Sequence, residues 1–189
     1  MNLPPLVLAS ASPRRRDLLR QMGHRFQVVT SAIPEVQHHH LSPHEICQLN
    51  AYRKARAVAK QHPDSLVIGA DTLVCLGSQR FGKPSTMAEA GAMLDQLQGR
   101  SHLVVTGVCL IHLRVHRQRT FAESTEVRFR PLNQAQIQTY LSLINPLDKA
   151  GAYAIQDHGE LVVERIEGSF ANVVGLPVEH LERELQRWS

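Results

Sequence analysis

Short apolar runs alternate with stretches of helical periodicity through the first half of the chain. Leu6-Val7-Leu8-Ala9 reads as a short strand, followed by a helix from Pro13 to about Met22 and a second strand from Phe26 to Thr30. Ser42-Pro43-His44-Glu45 is a helix start: an N-cap serine, a proline at the first helical position and a glutamate that closes a capping box. That helix is expected to run to about Gln61. Leu66-Val67-Ile68-Gly69-Ala70 follows as a buried strand, with apolar residues that could carry it on to Leu76.

Thr86-Met87-Ala88-Glu89 predicts a second capping box. Its helix places Ala90, Met93, Leu94 and Leu97 on one face and ends near Gly99. His102 to Leu113 reads as a long strand, Arg114 to Arg119 as a basic turn, and Phe121 to Phe129 as its hairpin partner. Asn133 opens a helix to about Leu143. Gly151–Ile155 and Leu161–Ile166 are expected to form a second strand pair. Val178, Leu181, Leu185 and Trp188 mark a terminal amphipathic helix. The sum is an α/β fold: a mixed twisted sheet with flanking helices, arranged as two lobes around a cleft, in a single domain over residues 1–189.

Composition narrows the class without naming a function. The chain of 189 residues is 43% hydrophobic and 20% charged, ordinary for one globular domain. A net charge of +4 favours anionic ligands, and at this point nucleotide, nucleic acid and acidic metabolite remain open. Cys47, Cys75 and Cys109 are scattered with no CxxC pair, which argues against a zinc ribbon and suits a reducing compartment. The first residues, Met1-Asn2-Leu3-Pro4-Pro5, lack a basic region followed by a long apolar run. No signal peptide, membrane span or membrane partner is therefore expected, and a cytoplasmic location is. His38-His39-His40 is the only run, and consecutive residues cannot all face one ion, so it reads as a solvated loop.

Several residues sit where local rules disfavour them. In Ser10-Ala11-Ser12-Pro13-Arg14-Arg15-Arg16, Ser12 can cap the first helix, and three arginines then occupy its first turn, where the helix dipole prefers acids. Either this is a solvated basic turn, or an anionic ligand at the helix mouth relieves the penalty through backbone N–H groups and bidentate arginine contacts. Lys54 falls on the inward face of the second helix, among Ile46, Cys47, Ala51, Ala57 and Val58, with Asn50 on the same side. It either pairs with a structural carboxylate or lines an anion pocket. Asp71 stands in or beside an apolar strand, where aspartate is disfavoured. Asp71 and Glu35 could share a hard cation such as Mg²⁺.

Ser10-Ala11-Ser12-Pro13-Arg14-Arg15, Gly69-Ala70-Asp71-Thr72, Gly82-Lys83-Pro84, the segment from Asp148-Lys149 through Tyr153 to Gln156, and Val173-Val174-Gly175-Leu176-Pro177 occur in that order along the chain. Together they resemble the Maf family of nucleotide pyrophosphatases. The resemblance implies an α/β fold related to the inosine triphosphate pyrophosphatases, a divalent metal cation (Mg²⁺ or Mn²⁺), and release of pyrophosphate from a nucleoside triphosphate. It assigns Asp71 as proton acceptor and Ser10, Arg14, Arg15, Lys54 and Lys83 to the phosphates. Glu35 and Asp71 fall to the metal. Arg14, Thr72 and Gln156 match the trio of the branch acting on dTTP and UTP. Two positions depart from the family pattern: Asn145 stands where a glutamate often precedes Pro146, and Asp157 where a glycine often follows the glutamine.

The reaction so implied is attack of water on the α-phosphorus, with Asp71 either taking the proton or holding the metal. Ser10 and Ser12 lack an obvious adjacent base, so no covalent serine intermediate is expected. The expected partner is the nucleoside triphosphate substrate, with no stable nucleic-acid partner; a homodimer is left open. The alternative is a nucleic-acid-binding or septum-related regulatory protein without catalysis. Such a protein would have no use for Asp71 and Glu35 beside phosphates, which they repel.

Overall fold

The computed structural model describes residues 3–36, 38 and 40–188. Its strands are β1 (Leu6–Leu8), β2 (Phe26–Val28), β3 (Leu66–Leu76), β4 (Gln79–Phe81), β5 (Ser101–His112), β6 (Arg117–Phe129) and β7 (Val163–Glu167). Its helices are α1 (Pro13–Gln21), α2 (Pro43–Ala59), α3 (Met87–Leu97), α4 (Gln134–Leu143), α5 (Phe170–Val174) and α6 (Val178–Gln186). The strands form one mixed sheet in the order β2-β1-β3-β5-β6-β7, with β4 paired to β3. β1 runs parallel to both β2 and β3, whereas the β3–β4 and β6–β7 pairs are antiparallel. This is the mixed sheet with flanking helices that the chain pattern predicts. Among the described residues no helix is long and apolar enough to cross a membrane.

The chain divides into two compact units. The first comprises residues 1–71, 106–123 and 175–189, and the second 72–105 and 124–174. In the first unit α2 packs through small side chains, with Ala51, Ala55, Val58 and Ala59 lying on Val7, Val67, Cys109 and Ile111, while Leu8, Leu19, Leu66, Ile68 and Leu110 of the same unit are fully buried as well. Two glycines explain why the α2 contact is made of small residues. A Cβ at Gly69 of β3 would lie 2.3 Å from the Ala51 carbonyl oxygen and 2.8 Å from the Ala55 nitrogen. A Cβ at Gly107 of β5 would lie 2.3 Å from the Cys47 carbonyl carbon. The α2 backbone therefore rests directly on two strands, closer than any side chain allows. The second unit has a core built from Phe81, Leu94, Leu97, Phe129, Ile137, Tyr140 and Tyr153.

Helix starts follow the sequence closely. The Ser42 side chain caps the Glu45 N–H and the Glu45 carboxylate returns to the Ser42 N–H at 2.8 Å, a complete capping box. The second expected box is only half made. Thr86 caps Glu89 at 3.1 Å, but the Glu89 carboxylate accepts from the Ser85 N–H at 2.7 Å, one residue before the cap. The strand expected from Phe121 begins at Arg117 instead, because the turn tightens to residues 113–116, where His116 takes a φ of +52°.

The expected strand over Gly151–Ile155 is not formed. Residues 150–152 make a 3-10 turn, with Gly151 at φ +69° and Ala152 at φ +62°, a left-handed pair that breaks the extended pleat. The Gly151 N–H bonds instead to the Gly82 carbonyl at 3.0 Å. Val163–Glu167 is a strand, but its partner is β6. His38 and His40 are exposed, as expected of that run, while His39 lies outside the described residues.

Gly69→Ala is expected to lower the free energy of unfolding by at least about 2 kcal/mol, since backbone atoms that cannot rotate away would meet the new methyl. Gly77→Ala provides the contrast. It has a φ of +58° but nothing within 4 Å of its Cβ position, so only the left-handed strain of about 1 kcal/mol applies. Urea unfolding midpoints of the two variants check the ranking.

Candidate functional site

The resting of α2 on β3 brings three polar side chains of the first unit together. Asp71 lies inside β3, and its side chain is only 10% exposed. Lys54 and Asn50 sit one turn apart on the α2 face that covers it. The Lys54 ammonium donates to Asp71 Oδ1 at 2.8 Å and to Glu35 Oε1 at 2.6 Å. Asn50 Nδ2 donates to Asp71 Oδ2 at 3.0 Å. Glu35 belongs to the loop after β2, and α2 holds that loop at three consecutive residues. Arg53 Nη1 donates to the Pro34 carbonyl at 3.0 Å, Lys54 pairs with Glu35, and the Asn50 amide bonds both the Val36 N–H and the Val36 carbonyl.

The alternatives for Lys54 meet here: in this structure its partners are carboxylates. Burial pushes the Asp71 carboxyl above its ordinary value, and the Glu35 charge adds to that, while the Lys54 ammonium and the Arg15 guanidinium oppose it. A carboxylate raised in this way is a better proton acceptor than an exposed one.

The β1–α1 junction supplies the remaining cations. Ser12 is the N-cap of α1, with Pro13 at the first helical position. Ser10 is buried, and its Oγ accepts from the Ser12 N–H at 3.2 Å and from Arg15 Nη1 at 3.3 Å. Arg15 reaches across the unit: Nε donates to the Gly175 carbonyl at 2.7 Å and Nη1 to the Ala70 carbonyl at 3.0 Å. Burial works against its charge, which the Asp71 and Glu35 carboxylates support. Nη1 thus ties α1 to the β3 residue that precedes Asp71, and Nε ties it to the segment before α6. Arg16 turns to Asp17 at 3.1 Å, and Arg14 is half-buried on the first turn of α1. Arg15 is thus engaged with the backbone of the unit, and Arg16 with its neighbour Asp17.

Lys83, Thr72 and Gln156 belong to the second unit. Lys83 is exposed in the loop after β4, Thr72 is half-buried in β3 directly after Asp71, and Gln156 is exposed in the loop at 155–158. That loop is anchored from behind. The buried Tyr140 hydroxyl donates to the Ala154 carbonyl at 3.1 Å and accepts the Ala154 N–H at 3.0 Å. The buried Lys149 ammonium donates to the Asn145 carbonyl at 2.7 Å and to Asp148 at 2.8 Å, and lies 3.9 Å from Asp157. The two departures from the family pattern, Asn145 and Asp157, thus flank one buried lysine. Sequence reasoning assigned no role to Tyr140 or Lys149. Their signal was present, as a tyrosine on the buried face of α4 and a lysine in a run of small residues.

Asp71 and Glu35 offer hard anionic oxygens that approach the same ammonium. Among the described residues no group of three or more His, Cys, Asp or Glu side chains gathers to hold a metal ion. Two carboxylates completed by substrate phosphates is nonetheless the donor set that Mg²⁺ or Mn²⁺ takes in nucleotide enzymes, so these residues fit such an ion.

The family profile described as Maf-like protein matches residues 5–188. The chain belongs to this family. Among curated relatives, a protein named dTTP/UTP pyrophosphatase from a Geobacillus species is 48% identical over 96% of this chain and 97% of its own length. Relatives of the same name from Bacillus velezensis and Halalkalibacterium halodurans are 45% and 47% identical, each over 97% of this chain and 96% of the relative. A solved nucleoside-triphosphatase / dITP/XTP pyrophosphatase from Mycobacterium abscessus is a distant likeness. It has a TM-score of 0.45 and 15% identity, over 68% of this chain and 75% of that one.

Within this Maf-like chain, Lys54→Met leaves Asp71 and Glu35 facing each other without their shared cation. The Asp71 carboxyl, already raised by burial, rises further. A carboxyl whose folded value lies above its unfolded one favours folding at low pH and opposes it as pH climbs through the folded value. Stability is therefore expected to fall by about 2 kcal/mol at pH 7, after allowance for the exposure of Glu35, with a smaller deficit near pH 4. Denaturant unfolding of both proteins at the two pH values measures the difference.

Proposed function

We propose that the chain hydrolyses nucleoside triphosphates, dTTP and UTP foremost, to the nucleoside monophosphate and pyrophosphate. The observation that carries this reading is the near full-length match to relatives named dTTP/UTP pyrophosphatase. The Asp71–Lys54–Glu35 cluster supports it, because a raised carboxylate beside a cation is suited to activating water next to an anionic substrate. The reading takes residues 1–189 as one catalytic domain and places it in the cytoplasm.

In this mechanism Asp71 accepts the proton of the water that attacks the α-phosphorus. Lys54 moves part of its charge from the carboxylates to a phosphate oxygen. Ser10 and Arg14 bind phosphate at the mouth of α1, where the positive end of the helix dipole favours an anion. Lys83 contributes a further cation to the triphosphate. Arg15 holds Ser10 and the β3 residue before Asp71 in register while lending positive potential to the phosphates. A divalent metal, when bound by Asp71 and Glu35, supplies charge neutralisation of the phosphates and a lower water pKa. No side-chain nucleophile is used.

Nucleoside monophosphate and pyrophosphate are expected as the first products, with oxygen from labelled water found in the monophosphate and activity lost to chelator. Orthophosphate as the initial product means attack at the γ-phosphorus and overturns the reading. Asp71→Asn is expected to fold and to lose about 10²–10⁴-fold in turnover. Near wild-type turnover in the purified variant shows that Asp71 is not the proton acceptor.

Base selection is assigned to Arg14, Thr72 and Gln156. Uracil and thymine present an N3–H donor beside carbonyl acceptors, and the Gln156 amide carries one acceptor and one donor to match that edge. A site built for one edge rejects mismatched bases because buried polar groups then go unpaired. The expected order of kcat/KM is dTTP and UTP above dCTP, CTP and the purine nucleotides, with the preference flattened in Gln156→Glu. A panel of the eight common triphosphates tests this. Equal rates on purines and pyrimidines, or an unchanged profile in the variant, refutes the base assignment alone.

A further inference from the structure

Asn50 is a buried polar side chain, 4% exposed, on the inward face of α2, whose other buried residues are Ile46, Cys47, Ala51, Ala55, Val58 and Ala59. A leucine or alanine there would pack without any polar group to satisfy. The amide instead makes three hydrogen bonds. Oδ1 accepts the Val36 N–H at 2.9 Å, while Nδ2 donates one hydrogen to the Val36 carbonyl at 3.1 Å and the other to Asp71 Oδ2 at 3.0 Å. The chemistry fixes its orientation. A flipped amide would set its oxygen against the Asp71 carboxylate and the Val36 carbonyl, acceptor against acceptor, and its nitrogen against the Val36 N–H, donor against donor.

The consequence for Asp71 is that its two oxygens are no longer equivalent. Oδ1 is held by the Lys54 ammonium and Oδ2 by the Asn50 amide, which stops the carboxylate from rotating about its Cβ–Cγ bond. Each oxygen keeps acceptor capacity for one further donor, in a direction set by the contact it already has. The same amide that aims Asp71 also clamps the residue next to Glu35. We infer that Asn50 is a positioning residue for catalysis, joining the strand-borne Asp71 and the loop-borne Glu35 into one fixed arrangement. This rests on the proposed reading of Asp71 as the proton acceptor. Arg53 at Pro34 reinforces the loop but touches neither carboxylate.

Two variants separate aiming from tethering. Asn50→Asp keeps the acceptor for the Val36 N–H but removes both donated bonds; Asn50→Leu removes all three without adding charge. With dTTP and Mg²⁺, both are expected to lose about tenfold to a hundredfold in kcat, corrected for the folded fraction, with KM within about threefold of wild type. The unaltered chain supplies readings that no failure of a variant to fold can obscure. The Val36 amide hydrogen is expected to exchange at least about tenfold more slowly than in an unstructured chain. One Asn50 side-chain hydrogen is expected to change its chemical shift in Asp71→Asn. Near wild-type kcat in Asn50→Asp, a loss confined to KM or to the folded fraction, coil-rate exchange at Val36, or an unmoved Asn50 signal overturns the inference. If Asp71→Asn keeps its turnover, the reading of Asp71 falls and this inference with it. If Asp71→Asn is inactive while the Asn50 variants are not, only the role of Asn50 falls.

Discussion

The first unit depends on the direct contact between the α2 backbone and the sheet. Gly69 and Gly107 leave no Cβ where Ala51, Ala55 and Cys47 come closest, so helix and strands meet at backbone distance. At that distance a lysine and an asparagine on α2 reach an aspartate in β3 through short, well-formed bonds. Were the helix lifted off the sheet by side chains at those two positions, Asn50 and Asp71 would be drawn apart. On this face the contact is made by small residues, alanines above all, because nothing larger fits between helix and sheet.

Burial and charge then act on that arrangement in opposite directions. Removing the Asp71 carboxylate from water favours its protonated form, and the Lys54 ammonium at 2.8 Å opposes that shift without cancelling it. A buried ion pair of this kind is seldom a net source of stability, since desolvation consumes most of the attraction. Its value lies in poise: the carboxylate stays basic, and the ammonium stays close to where an anionic ligand would need it. Arg15 shows the complementary case. Its guanidinium bonds the Gly175 and Ala70 carbonyls and Ser10 through Nε and Nη1, which ties together the segments that carry the other groups.

Much of this was legible in the sequence because the relevant residues break local rules. An aspartate inside an apolar strand, a lysine on the inward face of a helix and arginines at a helix N-terminus each cost free energy where they stand, and periodicity alone exposes them. Helix starts were legible for a related reason: the capping chemistry of Ser42, Thr86 and Asn133 is local. What escaped was decided by long-range contact. Gly151 and Ala152 read as strand by composition, yet their left-handed backbone is set by the bond from Gly151 to Gly82, far away in sequence. The loop of Glu35 has no secondary structure to predict, and its place depends on three α2 side chains. Asn50 was seen on the inward side, but no pattern in a single sequence says that its amide bonds a loop and a strand together.

The cluster is also balanced without a ligand, and that limits how a triphosphate can bind. Two carboxylates, Asp71 and Glu35, are held by Lys54 and supported by Arg15 at some distance. An incoming phosphate must compete with both carboxylates for the same ammonium, and it also meets their repulsion. Under the pyrophosphatase reading, a hard cation on the carboxylates resolves both difficulties together, since it answers their charge while freeing part of the lysine. Ligand and metal should therefore bind with positive coupling, each weak alone, because either one by itself leaves like charges facing each other. A protein that only bound polyanions would be better served by a neutral residue at either carboxylate position. That both are present, and pinned by the same helix, is the strongest physical argument that the cluster exists for chemistry and not for adhesion.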